Sequence, residues 1–172
     1  MEECLDNEIN LLDLTEVKQK EVESLTDDTG TIIIAHGVSD NDHAGIGLLI
    51  HGKRLELIEA IFGTCYGHAK IRYAKKETWL VGVVYASTEA ADEDVKDLFY
   101  DELTDYFNAL ISEESKVTLL LGDFNAEIGV EMDKLHGKHY FGELNSNGCR
   151  LRNLCHDFKL FNTSSFFNKR LG

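Results

Sequence analysis

Four side chains, far apart along the chain, carry groups that a phosphate ester would need. Glu16 follows INLLDLT (residues 9–15), Tyr85 follows WLVGVV (79–84), and Asp123 and Asn125 follow VTLLL (117–121). Each stands just past a run of apolar or β-branched residues, the pattern of a strand. Strand carboxyl ends often hold ligands, because the strand fixes the backbone while the loop presents the side chain. Two carboxylates brought together repel and lose hydration unless a cation sits between them. Oxygen donors favour a hard ion such as Mg²⁺, which keeps several waters and takes one or two protein carboxylates. Such an ion lowers the pKa of a bound water and offsets charge on a phosphate. Taken singly, each residue also has a plainer reading. Gly122-Asp123 can be a turn, Glu16 a solvated glutamate, and Tyr85 a packed ring with a satisfied hydroxyl.

Other chemistries find less support. His36, His43, His51, His68, His136, His139 and His156 show no H-x-x-x-H or related spacing, and surface or packing roles are expected for them. Cys4, Cys65, Cys149 and Cys155 form no C-x-x-C pair, so reduced, mostly buried thiols are expected rather than a zinc site. Gly45-Ile46-Gly47 lacks the rest of a dinucleotide fingerprint. Asn147-Gly148 reads as a turn.

Periodicity predicts the elements that place these groups. Strands are expected at Ile9 to Thr15, Thr31 to Ala35, Ala44 to Ile50, Ala69 to Ala74 and Thr78 to Tyr85, with a polar stretch between Glu16 and Gly30. Lys75, Lys76 and Glu77 suit a hairpin connection, and Gly45 and Gly47 mark a close backbone approach or a bulge. Val95, Leu98, Phe99, Leu103, Tyr106, Phe107 and Leu110 recur at helical spacing with acidic residues mainly opposite, which predicts an amphipathic helix docked on a sheet. Val117 to Leu121 does not alternate, which predicts a strand buried on both faces. Leu151, Leu154, Cys155 and Phe158 predict a second helix behind the turn at Asn145 to Gly148, and Leu160-Phe161 would begin another strand. Sheets with helices against them give an α/β or α+β fold.

The 172 residues suffice for one core, and without a repeat, low-complexity tract or linker the span 1–172 is expected to be a single domain. No apolar run is long enough for a membrane span. The acidic start MEECLDNE lacks the basic and apolar parts of a secretory signal, so an intracellular protein, nuclear or cytoplasmic, is expected. The net charge of −14 runs against a protein that grips DNA by its phosphates. The acid is concentrated in the first thirty residues and from Glu89 to Glu114. After Lys134 the balance turns basic, through Lys138, Arg150, Arg152, Lys159, Lys169 and Arg170. There is no proline, so turns rest on Gly, Asn, Asp and Ser.

The stretches INLLDLTEVK, DNDHAGIGLLI, WLVGVVYASTEAADEDVKDLFYDELTDYF, LLLGDFNAEIG and NSNGCRLRNLCHDFKLFNTSSFF follow one another in a familiar order. As a set they resemble the endonuclease/exonuclease/phosphatase superfamily. Within it they closely resemble endonuclease domains of non-long-terminal-repeat retrotransposons and craniofacial development protein 2-like sequences. The resemblance implies a four-layer α/β sandwich and a phosphodiesterase acting on DNA with Mg²⁺, or Mn²⁺ in its place. By motif match Glu16 would bind the metal, and Asp123 would orient or activate the attacking water. Asn125 would stabilise the crowded phosphorus, and Tyr85 would sit beside the scissile phosphate, with Phe124 anchored in the core. Two family features are not in this chain: the early W-N-x-R-T strand and the late Asp-His strand. The family's Y-A-P-T is Y-A-S-T here, with Ser87, and Lys18-Gln19 replaces a basic-aromatic pair. The domain is therefore expected to be incomplete, a retrotransposon-derived fragment with impaired or no activity. A non-catalytic remnant or protein-interaction module, and a phosphatase for small phosphate esters, are the alternatives.

Overall fold

The computed structural model describes residues 9–18, 23–28, 30–37, 45–111, 115–129, 134–139 and 142–167. Cys4, Gln19, His43, Ala44, Glu113, Glu114, Lys169 and Arg170 lie outside these residues. The chain divides into two compact units: Met1–Tyr85 with Ala109–Asp123, and Ala86–Asn108 with Phe124–Gly172.

The described part of the first unit is built from strands β1 (Leu11–Thr15), β2 (Glu23–Thr26), β3 (Ile32–Gly37), β4 (Gly45–Ile50), β5 (Leu55–Phe62), β6 (Tyr66–Tyr73), β7 (Glu77–Tyr85) and β8 (Ser115–Asp123). They form two four-stranded sheets, ordered β1-β4-β3-β2 and β5-β6-β7-β8. Neighbouring strands are antiparallel except β7 and β8, which are parallel and place Tyr85 opposite Asp123. One cluster of buried side chains joins the sheets: Ile34, Ile46, Leu48 and Ile50 from the first, and Phe62, Ala69, Ile71, Val81 and Val83 from the second. Each large aliphatic side chain so buried contributes roughly 1.5–3 kcal/mol. β4, paired with β1 and β3, is buried along its whole length. β7 is buried from Leu80 to Val84, and Tyr85 emerges half-buried at its end.

Some expectations need correction. β2 lies within the expected polar stretch, and β5 had no sequence signal. A register shift between Leu57 and Glu59 breaks its alternation and leaves Ile58 and Ile61 exposed. Val117 to Leu121 is half-buried rather than buried on both faces, as suits an edge strand of its sheet. Of the described cysteines, Cys155 is buried, Cys65 half-buried and Cys149 exposed.

The second unit contains most of helix α1 (Glu93–Leu110), helix α2 (Ser146–Phe158) and a 3-10 turn (Thr163–Phe166). The buried stripe of α1 is Lys96, Tyr100, Leu103 and Phe107, while Val95 and Leu98 face solvent. The expected strand at Leu160-Phe161 is absent among the described residues. The chain passes instead into the 3-10 turn, after a lone bridge between His136 and Asn162. No helix among the described residues is long and apolar enough to cross a membrane.

Two glycines allow a test of the backbone geometry. Gly122 (φ 131°) has no room for a Cβ, which would lie 1.9 Å from the Val84 carbonyl oxygen. Gly30 (φ 81°) meets nothing within 4 Å. By urea unfolding, Gly30→Ala is expected to cost about 1 kcal/mol of backbone strain, and Gly122→Ala roughly 3 kcal/mol or more. Equal losses would contradict the close approach of β7 and β8.

Candidate active site

Glu16 stands where β1 ends, and its φ of 57° turns the chain out of extended geometry. The turn is held by β4. The Val17 amide donates to the Gly45 carbonyl at 3.2 Å, and a Cβ on Gly45 would lie 2.0 Å from the Val17 oxygen. A glycine at 45 is therefore what lets the two backbones meet. At the end of β7, the Tyr85 amide donates to the Cys65 carbonyl at 2.7 Å. On β8, Gly122 packs its bare Cα against Val84 and delivers Asp123 beside Tyr85.

These strand ends converge. The Tyr85 hydroxyl donates to Glu16 Oε1 at 3.2 Å, linking the first sheet to the second. Burial pushes the Tyr85 pKa up, and the Glu16 hydrogen bond and the charges of Glu16 and Asp123 push it further the same way. Tyr85 is half-buried, whereas Glu16 and Asp123 are exposed. The structure thus brings together three of the four residues singled out by motif, and two carboxylates bear on one phenol. That donor set is all oxygen, with its charged members open to solvent, and it fits a hard cation. Among the described residues no group of three His, Cys, Asp or Glu could hold a metal. An ion at Glu16 and Asp123 would complete its shell with water, as Mg²⁺ ordinarily does.

Asn125 belongs to the second unit. It adopts left-handed geometry (φ 47°), which asparagine tolerates better than most residues. Its Nδ2 donates to the Ala86 carbonyl at 2.9 Å. Its own carbonyl accepts from Asn145 Nδ2 and from Asn147 Nδ2, each at 3.3 Å. Phe124 is half-buried and outside the core cluster, contrary to the expected anchor. Its carbonyl accepts from the Tyr100 hydroxyl at 3.4 Å.

The asparagine clamp rests on the start of α2. Asn145 is the N-cap, its Oδ1 accepting from the Gly148 amide at 2.7 Å and from the Glu127 amide at 3.0 Å. Asn147 is wholly buried, and its Nδ2 also donates to the Ser87 carbonyl at 2.8 Å. Asn147-Gly148 is therefore the first turn of a helix, not the loop turn expected. Glu89 accepts from the Ser146 and Asn147 amides at 3.1 and 3.2 Å, filling donors that a helix start leaves open. Burial favours the neutral form of Glu89, but those amide bonds and Lys96 outweigh it and hold the pKa below the usual range. Buried Lys96 also pairs with Glu93 at 2.6 Å. Hydrogen bonds from Lys96, Ser146 and Arg150 hold the Glu93 pKa at about 2. Arg150 further pairs with Asp97. Sequence reasoning missed Asn145, Asn147 and Glu89 as positioning groups. An asparagine ahead of a helical period was a legible cap signal for Asn145, but nothing local marked the other two.

No family model matches the sequence, and no curated protein matches it. Among solved structures the chain is similar to the human Nocturnin catalytic domain with a bound sulfate anion. The identity is 15%, the TM-score is 0.52, and the match covers 73% of this chain and 55% of that one. The matched region thus spans about half of the Nocturnin chain's length. The likeness is one of fold, a mixed α/β architecture of two four-stranded sheets with helices.

The Tyr85 hydroxyl provides a direct check. Its folded-state pKa lies above the ordinary 10.0, so the fold favours the neutral phenol. That contribution is complete below pH 10.0 and is lost as pH rises through the raised value. An NMR titration of ¹³C-labelled tyrosines, with Tyr85→Phe for assignment, should show Tyr85 ionising late. Glu16→Gln should bring it back toward 10.0. A titration unchanged in Glu16→Gln would contradict the link between the strand ends.

Proposed function

We propose that this chain is a phosphodiester hydrolase domain, endonuclease-like toward DNA with impaired activity, and dependent on Mg²⁺ or Mn²⁺. We place it in the retrotransposon-type branch that its motifs resemble. The observation that carries this reading is the hydrogen bond from Tyr85 to Glu16 beside Asp123, at the carboxyl ends of three strands. The fold adds support. The similar human domain was solved with sulfate, a tetrahedral dianion of the shape and charge of a phosphate group.

In this reading Glu16 and Asp123 would hold a divalent ion, which would supply charge neutralisation at the phosphate and ease ionisation of water. Asp123, solvent-facing and fixed by parallel pairing, orients the attacking water and takes its proton. Tyr85 is a neutral phenol at neutral pH, and its one hydroxyl proton, given to Glu16 in this structure, would turn to a phosphate oxygen once Glu16 is engaged by the cation. By motif resemblance the Asn125 amide, held by Ala86 and by Asn145 and Asn147, would stabilise charge that builds on phosphorus oxygens. Such a group acts without reorganising at the moment of reaction.

A second reading, a phosphatase for small phosphate esters, is favoured by the net charge of −14, which opposes a long polyanion. Nicking of supercoiled plasmid with Mg²⁺ separates the two. Wild-type protein should nick, and Asp123→Ala should lose on the order of 10²-fold or more of the rate. Turnover of inositol phosphates without nicking would favour the small-ester reading. Equal nicking by wild type and Asp123→Ala would contradict the assigned site.

A further inference from the structure

The other end of the second sheet carries a feature that the catalytic reading does not use. A concave cleft of about 300 Å³ is lined by Lys53, Arg54, Glu56, Arg72, Ala74 and Lys75. Four cations thus surround one carboxylate in a chain whose net charge is −14. Arg72 pairs with Glu56 at 3.1 Å, which leaves the cleft a net positive surplus. Lys53, Arg54 and Lys75 are exposed, and among the described residues none has a carboxylate partner.

The frame beneath these charges is tightly bonded. The turn between β4 and β5 is closed by the Leu55 amide donating to the Gly52 carbonyl at 3.0 Å. The hairpin between β6 and β7 is closed by the Lys76 amide donating to Tyr73 at 3.0 Å, with Ala74 and Lys75 both at positive φ. The Ala74 amide donates to the Arg54 carbonyl at 2.8 Å and ties one turn to the other. The charges are therefore carried on pinned backbone, which lowers the ordering cost of binding.

Its position separates it from the candidate active site. β7 is nine residues long, so its hairpin end and Tyr85 lie on the order of 25 Å apart at roughly 3.3 Å per residue. The cleft is small, and the rest of the molecule repels an extended polyanion. A compact group of high charge density satisfies both constraints.

We propose that this cleft is an accessory anion site for a compact oligophosphate group, such as the diphosphate or triphosphate of a nucleotide. Lys53, Arg54 and Lys75 would contact the phosphate oxygens, and Arg72, held by Glu56, would complete the positive wall. The assignment is independent of the catalytic reading, because a protein that fails to nick DNA still binds or does not bind at this cleft.

Titration calorimetry of the full chain with inorganic tripolyphosphate tests it. Wild-type protein should bind, and a Lys53→Gln/Arg54→Gln double variant should bind at least ~10-fold more weakly, with an unchanged circular dichroism spectrum. Lys75→Gly, which relieves a positive φ while removing a charge, supplies a second variant that should fold well and also bind more weakly. A nucleoside triphosphate and an oligonucleotide with a 5′-triphosphate distinguish the source of the group, and tight binding of either supports the site. Absence of binding to tripolyphosphate, folded variants that bind like wild type, or a short DNA duplex binding as tightly per phosphate would overturn it.

Discussion

Parallel pairing of β7 with β8 sets Tyr85 directly opposite Asp123, and the single hydrogen bond from Tyr85 to Glu16 ties that pair to the other sheet. The arrangement carries an electrostatic cost. Two carboxylates and a phenol that gains from staying neutral are gathered at one end of a strongly acidic chain. Like charges hold such positions when backbone bonds and packing elsewhere hold the strands. Here the packing is the shared core of Ile46, Leu48, Val81, Val83 and their neighbours, which binds the two sheets face to face.

Glycine does the fine positioning. At Gly45 and at Gly122 a side chain would intrude to about 2 Å on a carbonyl oxygen of the neighbouring segment, Val17 in one case and Val84 in the other. Both lie within a residue or two, by chain or by register, of a residue in the candidate site. The second unit uses a different device for Asn125. Two asparagine side chains converge on its carbonyl, and a helix start stabilised by Glu89, Lys96, Glu93 and Arg150 holds those asparagines. The sheet unit thus positions by strand pairing, and the helical unit by capping and ion pairs.

Much of this was legible in the residue order. Glu16, Tyr85 and Asp123 follow apolar runs, and strand ends are fixed by pairing partners whose pattern is itself readable. The α/β class was legible for the same reason, whereas the sandwich arrangement was implied only by the family resemblance; the fold is matched by the similarity to the human Nocturnin domain. What escaped was set by tertiary context. β5 lost its alternation at the irregularity after Leu57, and its exposed Ile58 and Ile61 mimic neither a buried nor a half-buried strand. The buried stripe of α1 runs through Lys96, a residue that hydrophobic periodicity assigns to solvent. Its ion pairs with Glu89 and Glu93 and its hydrogen bond to the Glu89 carbonyl offset the cost of its burial. Asn147 sits in a dipeptide that usually turns, yet the Asn145 cap ahead of it draws it into the helix.

The central claim is that Glu16 and Asp123 share a hard cation beside the Tyr85 hydroxyl. Paramagnetic broadening by Mn²⁺, read on ¹³C-labelled tyrosine rings, measures this without any substrate. Substoichiometric Mn²⁺ should broaden the Tyr85 resonance ahead of those of Tyr73, Tyr100 and Tyr106. Excess Mg²⁺ should restore it, and Glu16→Gln with Asp123→Asn should abolish the effect. Broadening of all tyrosines in parallel, or of Tyr85 equally in the double variant, would contradict a metal site at these strand ends.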